Sequence, residues 1–161
     1  MAELDRMGSC ARLAWDHAVE GSKRPPIDHR GVTSGHILLG VLMEQNCAGG
    51  LVLGKLGLDF DYARALTRWM LQYGRRREGP EPPTVDWAGV PHTATAKRVL
   101  DLCVAEANRF SPTYPIGTEH LLLSLLQVEG VGRRLLNYLG IEEATARATR
   151  DEIWSIMKAE E

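Results

Sequence analysis

The chain repeats itself, and that constrains its fold more than any other feature. His36-Ile37-Leu38-Leu39-Gly40-Val41-Leu42 returns 84 positions later as His120-Leu121-Leu122-Leu123-Ser124-Leu125-Leu126. The match continues through Leu53-Gly54-Lys55-Leu56-Gly57-Leu58-Asp59 against Leu136-Asn137-Tyr138-Leu139-Gly140-Ile141-Glu142, and through Ala63-Arg64-Ala65 against Ala146-Arg147-Ala148, at an offset of 83. One extra residue therefore sits in the first copy, in the loop near Asn46 and Cys47. A duplicated unit of this size cannot bury its apolar face alone. Packing against its twin yields one body with a pseudo-twofold.

Within each copy the apolar residues recur at helical spacing. Leu4, Met7, Ala11, Ala14, Trp15 and Ala18 mark a helix over 4–20, and the Gly, Ser and Pro25-Pro26 of 21–31 mark a loop. Thr33 or Ser34 can cap a helix from His36 to Glu44, the hydroxyl accepting a first-turn amide proton. A short helix over about 50–56 ends at Gly57, and a fourth from Asp59 to about Tyr73 places Phe60, Ala63, Leu66, Trp69 and Met70 on one side. Arg75-Arg76-Arg77, Pro80, Pro82 and Pro83 cannot continue a helix, so 74–91 reads as a linker. The second copy repeats the order: Thr93 caps a helix to about Phe110, Thr118 caps one to Gln127, a short helix ends at Gly140, and the last runs from Glu142 to about Lys158. No run alternates with period two, so no sheet is expected. The prediction is an all-α fold of eight helices in two quartets: copy one over 1–73, the linker over 74–91, and copy two over 92–161.

A net charge of −2, from 19 basic and 21 acidic residues, carries no polyelectrolyte signature, so neither nucleic acid nor a membrane surface is an expected partner. Cys10, Cys47 and Cys103 are far apart and outside any C-x-x-C spacing, which argues against a disulfide or a zinc site and for a reducing cytoplasm. No secretory leader or membrane-length apolar stretch is read from the sequence.

Few motifs suggest chemistry. Gly49-Gly50-Leu51-Val52-Leu53-Gly54-Lys55-Leu56 resembles the phosphate loop G-x-x-x-x-G-K, but Leu56 replaces the hydroxyl that would reach magnesium, and no strand precedes it. His36 and His120 occupy equivalent places just inside capped helices, as buried imidazoles bonding backbone do; neither belongs to an H-x-x-x-H pair, so no metal is expected. Cys103 falls among Val99, Leu102 and Ala107 as a small core residue, and a nucleophile there or at Ser124 would require a base and an orienting group. No cofactor and no enzyme activity are expected. Arg75-Arg76-Arg77 with Arg133-Arg134 reads as solvated charge. Trp15, Trp69 and Trp154 read as packed, and Trp87, in the linker, as a ligand contact. Glu119 stands out: a carboxylate in the first turn of a helix, which grips a guanidinium, would lie beside free amide protons, which grip an anion. Its first-copy counterpart is Gly35.

Ile116-Gly117-Thr118-Glu119-His120-Leu121-Leu122-Leu123, preceded by His92-Thr93-Ala94-Thr95-Ala96-Lys97-Arg98-Val99-Leu100, resembles the Clp repeat, which forms the N-terminal domain of Clp-type ATP-dependent unfoldases, most closely of the ClpC branch. The resemblance covers nearly the whole chain, with Val32-Thr33-Ser34-Gly35-His36 as the first copy's version of the motif. It implies an all-helical domain of two four-helix repeats, of the kind that precedes ATPase modules in the family. The implied role is to bind adaptors, unfolded or phosphoarginine-tagged substrates and, in some members, cyclic-peptide antibiotics. This chain would then be a free-standing decoy or adaptor that modulates a Clp protease, or the receptor domain of a full Clp ATPase. Carried onto this sequence, the phosphoarginine pocket falls on Thr93 and Glu119, with Leu4 and Gly35 in the first copy's places. The peptide surface falls on His92, Lys97 and Asp101, joined by Trp87; His92 and Glu3 stand where aromatics are usual.

Overall fold

The computed structural model describes residues 2–23, 31–73 and 89–160, so most of the linker and its Trp87 lie outside the described residues. A one-turn helix, α1 (Ala2–Asp5), precedes two quartets: α2 (Ser9–Ser22), α3 (Ser34–Met43), α4 (Ala48–Lys55) and α5 (Phe60–Tyr73), then α6 (Ala94–Asn108), α7 (Thr118–Gln127), α8 (Val131–Tyr138) and α9 (Glu143–Ala159). The extra residue of the first copy falls in the loop between α3 and α4, which carries Cys47.

α3 and α7 form the shared core. Every residue of α3 except Met43, and every residue of α7 except Gln127, is buried. α2 and α6 cover this pair with stripes that match residue for residue at an offset of 85: Ala11, Ala14, Trp15 and Ala18 against Ala96, Val99, Leu100 and Cys103. The last helix of each copy lies along the outside. The helices that open with glycine-rich turns pack crosswise, α4 on α7 and α8 on α3.

The crossing is fastened by a matched pair of hydrogen bonds. The Gly49 amide donates to Thr118 Oγ1 at 2.8 Å, and the Gly132 amide donates to Ser34 Oγ at 2.9 Å. A Cβ on Gly49 would lie 2.7 Å from the Thr118 carbonyl oxygen, so the backbones meet only because this residue has none. The glycines of the phosphate-loop look-alike are therefore packing positions inside α4.

A second matched pair sits where the copies enter each other. Met7 forms an isolated parallel bridge with Ile116, and Val32 forms its counterpart with His92. Ile116 N donates to Arg6 O at 2.8 Å and Gly8 N to Ile116 O at 2.9 Å; Val32 N donates to Pro91 O at 2.8 Å and Thr93 N to Val32 O at 2.9 Å. This pairing corrects the first helix. The chain is extended at Met7 to reach Ile116, so the predicted helix over 4–20 is broken between α1 and α2.

Three further expectations are corrected. Gly117, not Thr118, caps α7: its amide donates to His120 Nδ1 at 2.9 Å, as Thr33 N donates to His36 Nδ1 at 3.0 Å, while the Thr118 hydroxyl is spent on Gly49. Cys10 and Cys47 are joined in a disulfide, because the fold lays the first turn of α2 beside the start of α4 and brings their Cα atoms to 6.1 Å. Trp69 is 56% exposed, since α5 packs through Ala63, Thr67, Leu66 and Met70 and leaves that edge uncovered.

The outer layers also differ in their ionic fastening. Buried Glu106 of α6 accepts from Arg147 Nη2 at 2.9 Å and Gln127 Nε2 at 2.8 Å, joining α9 and α7 to α6. Burial pushes this carboxyl up, but the bonds and charge of Arg147 and the bond from Gln127 hold it down to about 2.

Candidate functional site

The Met7–Ile116 junction opens into a cleft of about 400 Å³. One wall is the first turn of α2, with Gly8, Ser9 and Cys10; Ala48 adds the start of α4; the other wall is 114–119, ending on Glu119. Each wall is the product of local sequence. Gly8 has no side chain to cap α2, so no cap oxygen engages the first-turn amides of Ser9, Cys10 and Ala11. Gly117 leaves room above its backbone, and the Glu119 carboxylate fills it: a Cβ on Gly117 would collide with both carboxylate oxygens.

Glu119 is 4% exposed and holds no strong ionic partner among the described residues. His120 Nδ1 lies 3.2 Å from Glu119 Oε1, but that nitrogen already accepts the Gly117 amide, so the imidazole is neutral there. Burial, reinforced by the positive charge of Arg150, brings the His120 pKa down to about 4. Burial pushes the Glu119 carboxyl up, opposed by its own backbone amide and by the Arg150 charge. Arg150 spends Nε and Nη2 on Asp151 Oδ1, at 3.0 and 2.8 Å. The result is a buried carboxylate acted on by the Arg150 charge without a direct ion pair to it among the described residues, lining the same cleft as a helix N-terminus that has no side-chain cap.

Among the described residues the pseudo-equivalent junction is filled differently. Thr33 stands where the cleft has Gly117, and its hydroxyl accepts the His36 amide at 3.3 Å. Gly35 stands in place of Glu119, and a Cβ there would lie 3.0 Å from Leu71 Cδ2 and 3.1 Å from Val131 Cγ1. Thr93 caps α6 in place of Gly8, its Oγ1 taking the Ala96 amide at 3.0 Å. Apolar side chains fill the carboxylate's place, and a side-chain hydroxyl already engages the helix start.

These pairings sort the residues singled out from sequence. Thr93 and Glu119 belong to different junctions: Thr93 pairs with Val32, whereas Glu119 faces Gly8 and Ser9. The copies align at an offset of 85 here, so the counterparts of Thr93 and His92 are Gly8 and Met7, not Leu4 and Glu3. His92 is fully buried and its Nδ1 donates to Val90 O at 2.7 Å, so it is no surface residue. Lys97 and Asp101 lie on an accessible face of α6, joined by an ion pair of 2.9 Å. Trp87 lies outside the described residues. Gly8, Ser9 and Cys10 were missed. Aligning Ala11-Ala14-Trp15-Ala18 with Ala96-Val99-Leu100-Cys103 would have found them by placing Gly8 opposite Thr93.

Residues 27–139 match the model of the Clp repeat (R) N-terminal domain, which is most of the chain. The chain belongs to the Clp repeat N-terminal domain family. Similar curated relatives include the chaperone protein ClpB of Oceanobacillus iheyensis, 32% identical over 122 residues, and the chloroplastic chaperone protein ClpC2 of Oryza sativa subsp. japonica, 34% identical over 122. A third is the negative regulator of genetic competence ClpC/MecB of Bacillus subtilis, 32% identical. In each case the match covers 75% of this chain, and it spans only 12–14% of the relative. The N-terminal domain of ClpD from Arabidopsis thaliana shares the Clp N-domain fold, with a TM-score of 0.70 at 21% identity over 94% of this chain and 96% of that one. The tandem all-helical fold is thus that of a Clp N-domain. Among the described residues no single helix is long and apolar enough to cross a membrane, and no cluster of His, Cys, Asp and Glu is arranged to hold a metal.

Proposed function

We propose that this Clp N-domain is a non-enzymatic binding module of a Clp protease system, and that its cleft receives a phosphoarginine-bearing segment of a tagged substrate. The observation that carries this reading is the pairing of opposites across the cleft. Buried Glu119 offers a carboxylate to a guanidinium, and the uncapped first turn of α2 offers amides to the phosphoryl group. The binding residues are Glu119, Gly8, Ser9 and Cys10; Thr93 supports the fold of the other junction. Titration of a phosphoarginine peptide against wild type and Glu119→Ala tests it. Loss of at least tenfold in affinity is expected, and equal affinity for both contradicts the reading.

Two settings for such a module are distinguished by the reading frame. As a free-standing protein it acts as a decoy or adaptor, competing with an unfoldase for tagged substrates, adaptors or cyclic-peptide antibiotics; for the last, Lys97 and Asp101 supply the exposed polar face of α6. The second setting is the receptor domain of a longer Clp ATPase; the chain spans only 12–14% of the length of its ClpB and ClpC2 relatives, as either setting would. A P-loop downstream in the same frame is expected for that setting, and a stop codon soon after position 161 for the other. A cytoplasmic location belongs to the same proposal.

A further inference from the structure

The Cys10–Cys47 disulfide lies on the wall of the cleft, and nothing in the other copy corresponds to it. By the alignment of the two copies, Cys10 answers to Thr95 and Cys47, in the longer loop, to Gly130. What the second copy has instead is the Thr93 cap, which holds the start of α6 by a hydroxyl. α2 has no side-chain cap at Gly8 and no helix continuous with it upstream, because the chain is extended at Met7. Among the described residues, its first turn is held by the backbone pairing with Ile116 and by the disulfide to the N-cap residue of α4. The two devices differ in one consequence. A hydroxyl cap takes up a first-turn amide, whereas a disulfide fixes the turn and leaves its amides to the cleft.

We propose that Cys10–Cys47 is a redox latch on the ligand cleft: closed, it holds the first turn of α2 in binding geometry, and opened, it releases that turn and weakens binding. The regulation rests on the cleft being the phosphoarginine site. Both sulfurs belong to partly exposed residues, so a soluble thiol can reach the bond. A dithiol reductant attacks one sulfur and then resolves the mixed disulfide. Two electrons pass to the protein, both cysteines become thiols, and the reductant leaves as its cyclic disulfide. In a cytoplasm poised to reduce disulfides, a bond of this kind is a transient, sensing one. Cys103 takes no part: it is fully buried, and burial pushes its thiol up to about 12.

The test compares the oxidised and dithiol-reduced chain, with Cys47→Ala as the variant that cannot latch. Free phosphoarginine is the binding probe, and amide exchange of residues 9–13 against 94–98 is the ligand-free readout. The latch predicts that reduction weakens affinity about tenfold and speeds exchange in 9–13 while leaving 94–98 unchanged. Cys47→Ala should behave like the reduced chain with or without reductant. Identical exchange and identical affinity in both states overturn the latch, as does ready alkylation of Cys10 in the air-oxidised chain. A change in exchange with phosphoarginine bound by neither state keeps the latch as a device of the fold and overturns the ligand reading instead.

Discussion

The two junctions of this Clp N-domain share a backbone and differ in nearly every side chain that matters. At both, an extended residue before one copy's first helix pairs with the residue leading into the other copy's second helix. At the Val32–His92 junction the places around that pairing hold Thr33, Gly35 and Thr93, with Leu71 and Val131 filling the space. At the Met7–Ile116 junction they hold Gly117, Glu119 and Gly8, and a cleft remains. The same three places hold glycine and side-chain-bearing residues in opposite order at the two junctions, which changes their surroundings without changing the backbone pairing. Backbone symmetry therefore does not imply two binding sites.

Exchanging residues between the copies tests how far they are alike. The largest effect is expected for Gly40→Ser, which installs the residue of Ser124. In the second copy the Ser124 hydroxyl donates to His120 O at 2.7 Å, but a Cβ on Gly40 would run into the Ala14 carbonyl. Helices α2 and α3 would have to separate, at a cost of about 3 kcal/mol, read by denaturant unfolding. Next come the crossing bonds. Thr118→Val and Ser34→Ala each leave a buried glycine amide without its acceptor, costing about 1–3 kcal/mol. The bonds to the two glycine amides are 2.8 and 2.9 Å long, so both variants should be destabilised; a variant that unfolds like wild type would show that its crossing bond contributes nothing.

A smaller effect has the opposite sign. The Glu119 carboxyl is pushed up by burial, so the folded chain resists its ionisation. Wild type therefore loses stability as pH rises from the ordinary carboxylate pKa of about 4.3 through the raised folded value. Glu119→Gln escapes that loss. It should match wild type near pH 4 and melt higher at pH 7, while weakening the phosphoarginine binding proposed for the cleft. A variant that is destabilised at pH 7 would show that the carboxylate has a protein partner after all. The smallest expected effect is that of Gly8→Thr, which gives α2 the cap of α6. The nearest atom to a new Cβ is Ile116 O at 3.5 Å, so it fits, and the helix should gain about 0.5 kcal/mol. Affinity should fall, because the new hydroxyl takes an amide that faces the cleft.

Much of this architecture is legible in sequence because it is local. The His36 and His120 heptapeptides, the apolar stripes and the turns at Gly57 and Gly140, where φ is +84° and +85°, fix four helices per copy within a few residues. Half of the site was legible too: Glu119 is conspicuous as the one carboxylate at a helix start whose counterpart is glycine. The remainder depends on contacts between distant positions. Met7 reads as one more apolar residue on a helical stripe until it is seen to pair with Ile116. Cys10 and Cys47 have no recognisable spacing, and only the docking of α2 beside α4 brings them together. Trp69 fails for a related reason: its spacing puts it near the apolar side of α5, but among the described residues no helix covers it.

The central claim is that the two junctions, alike in fold, are unlike in binding. Calorimetric titration of phosphoarginine into the oxidised chain, with amide chemical shifts followed in parallel, tests it most directly. The account predicts one molecule bound per chain and shifts confined to residues 8–11 and 114–119. Two equivalent molecules per chain, or shifts centred on Thr93 and Gly35, would contradict it.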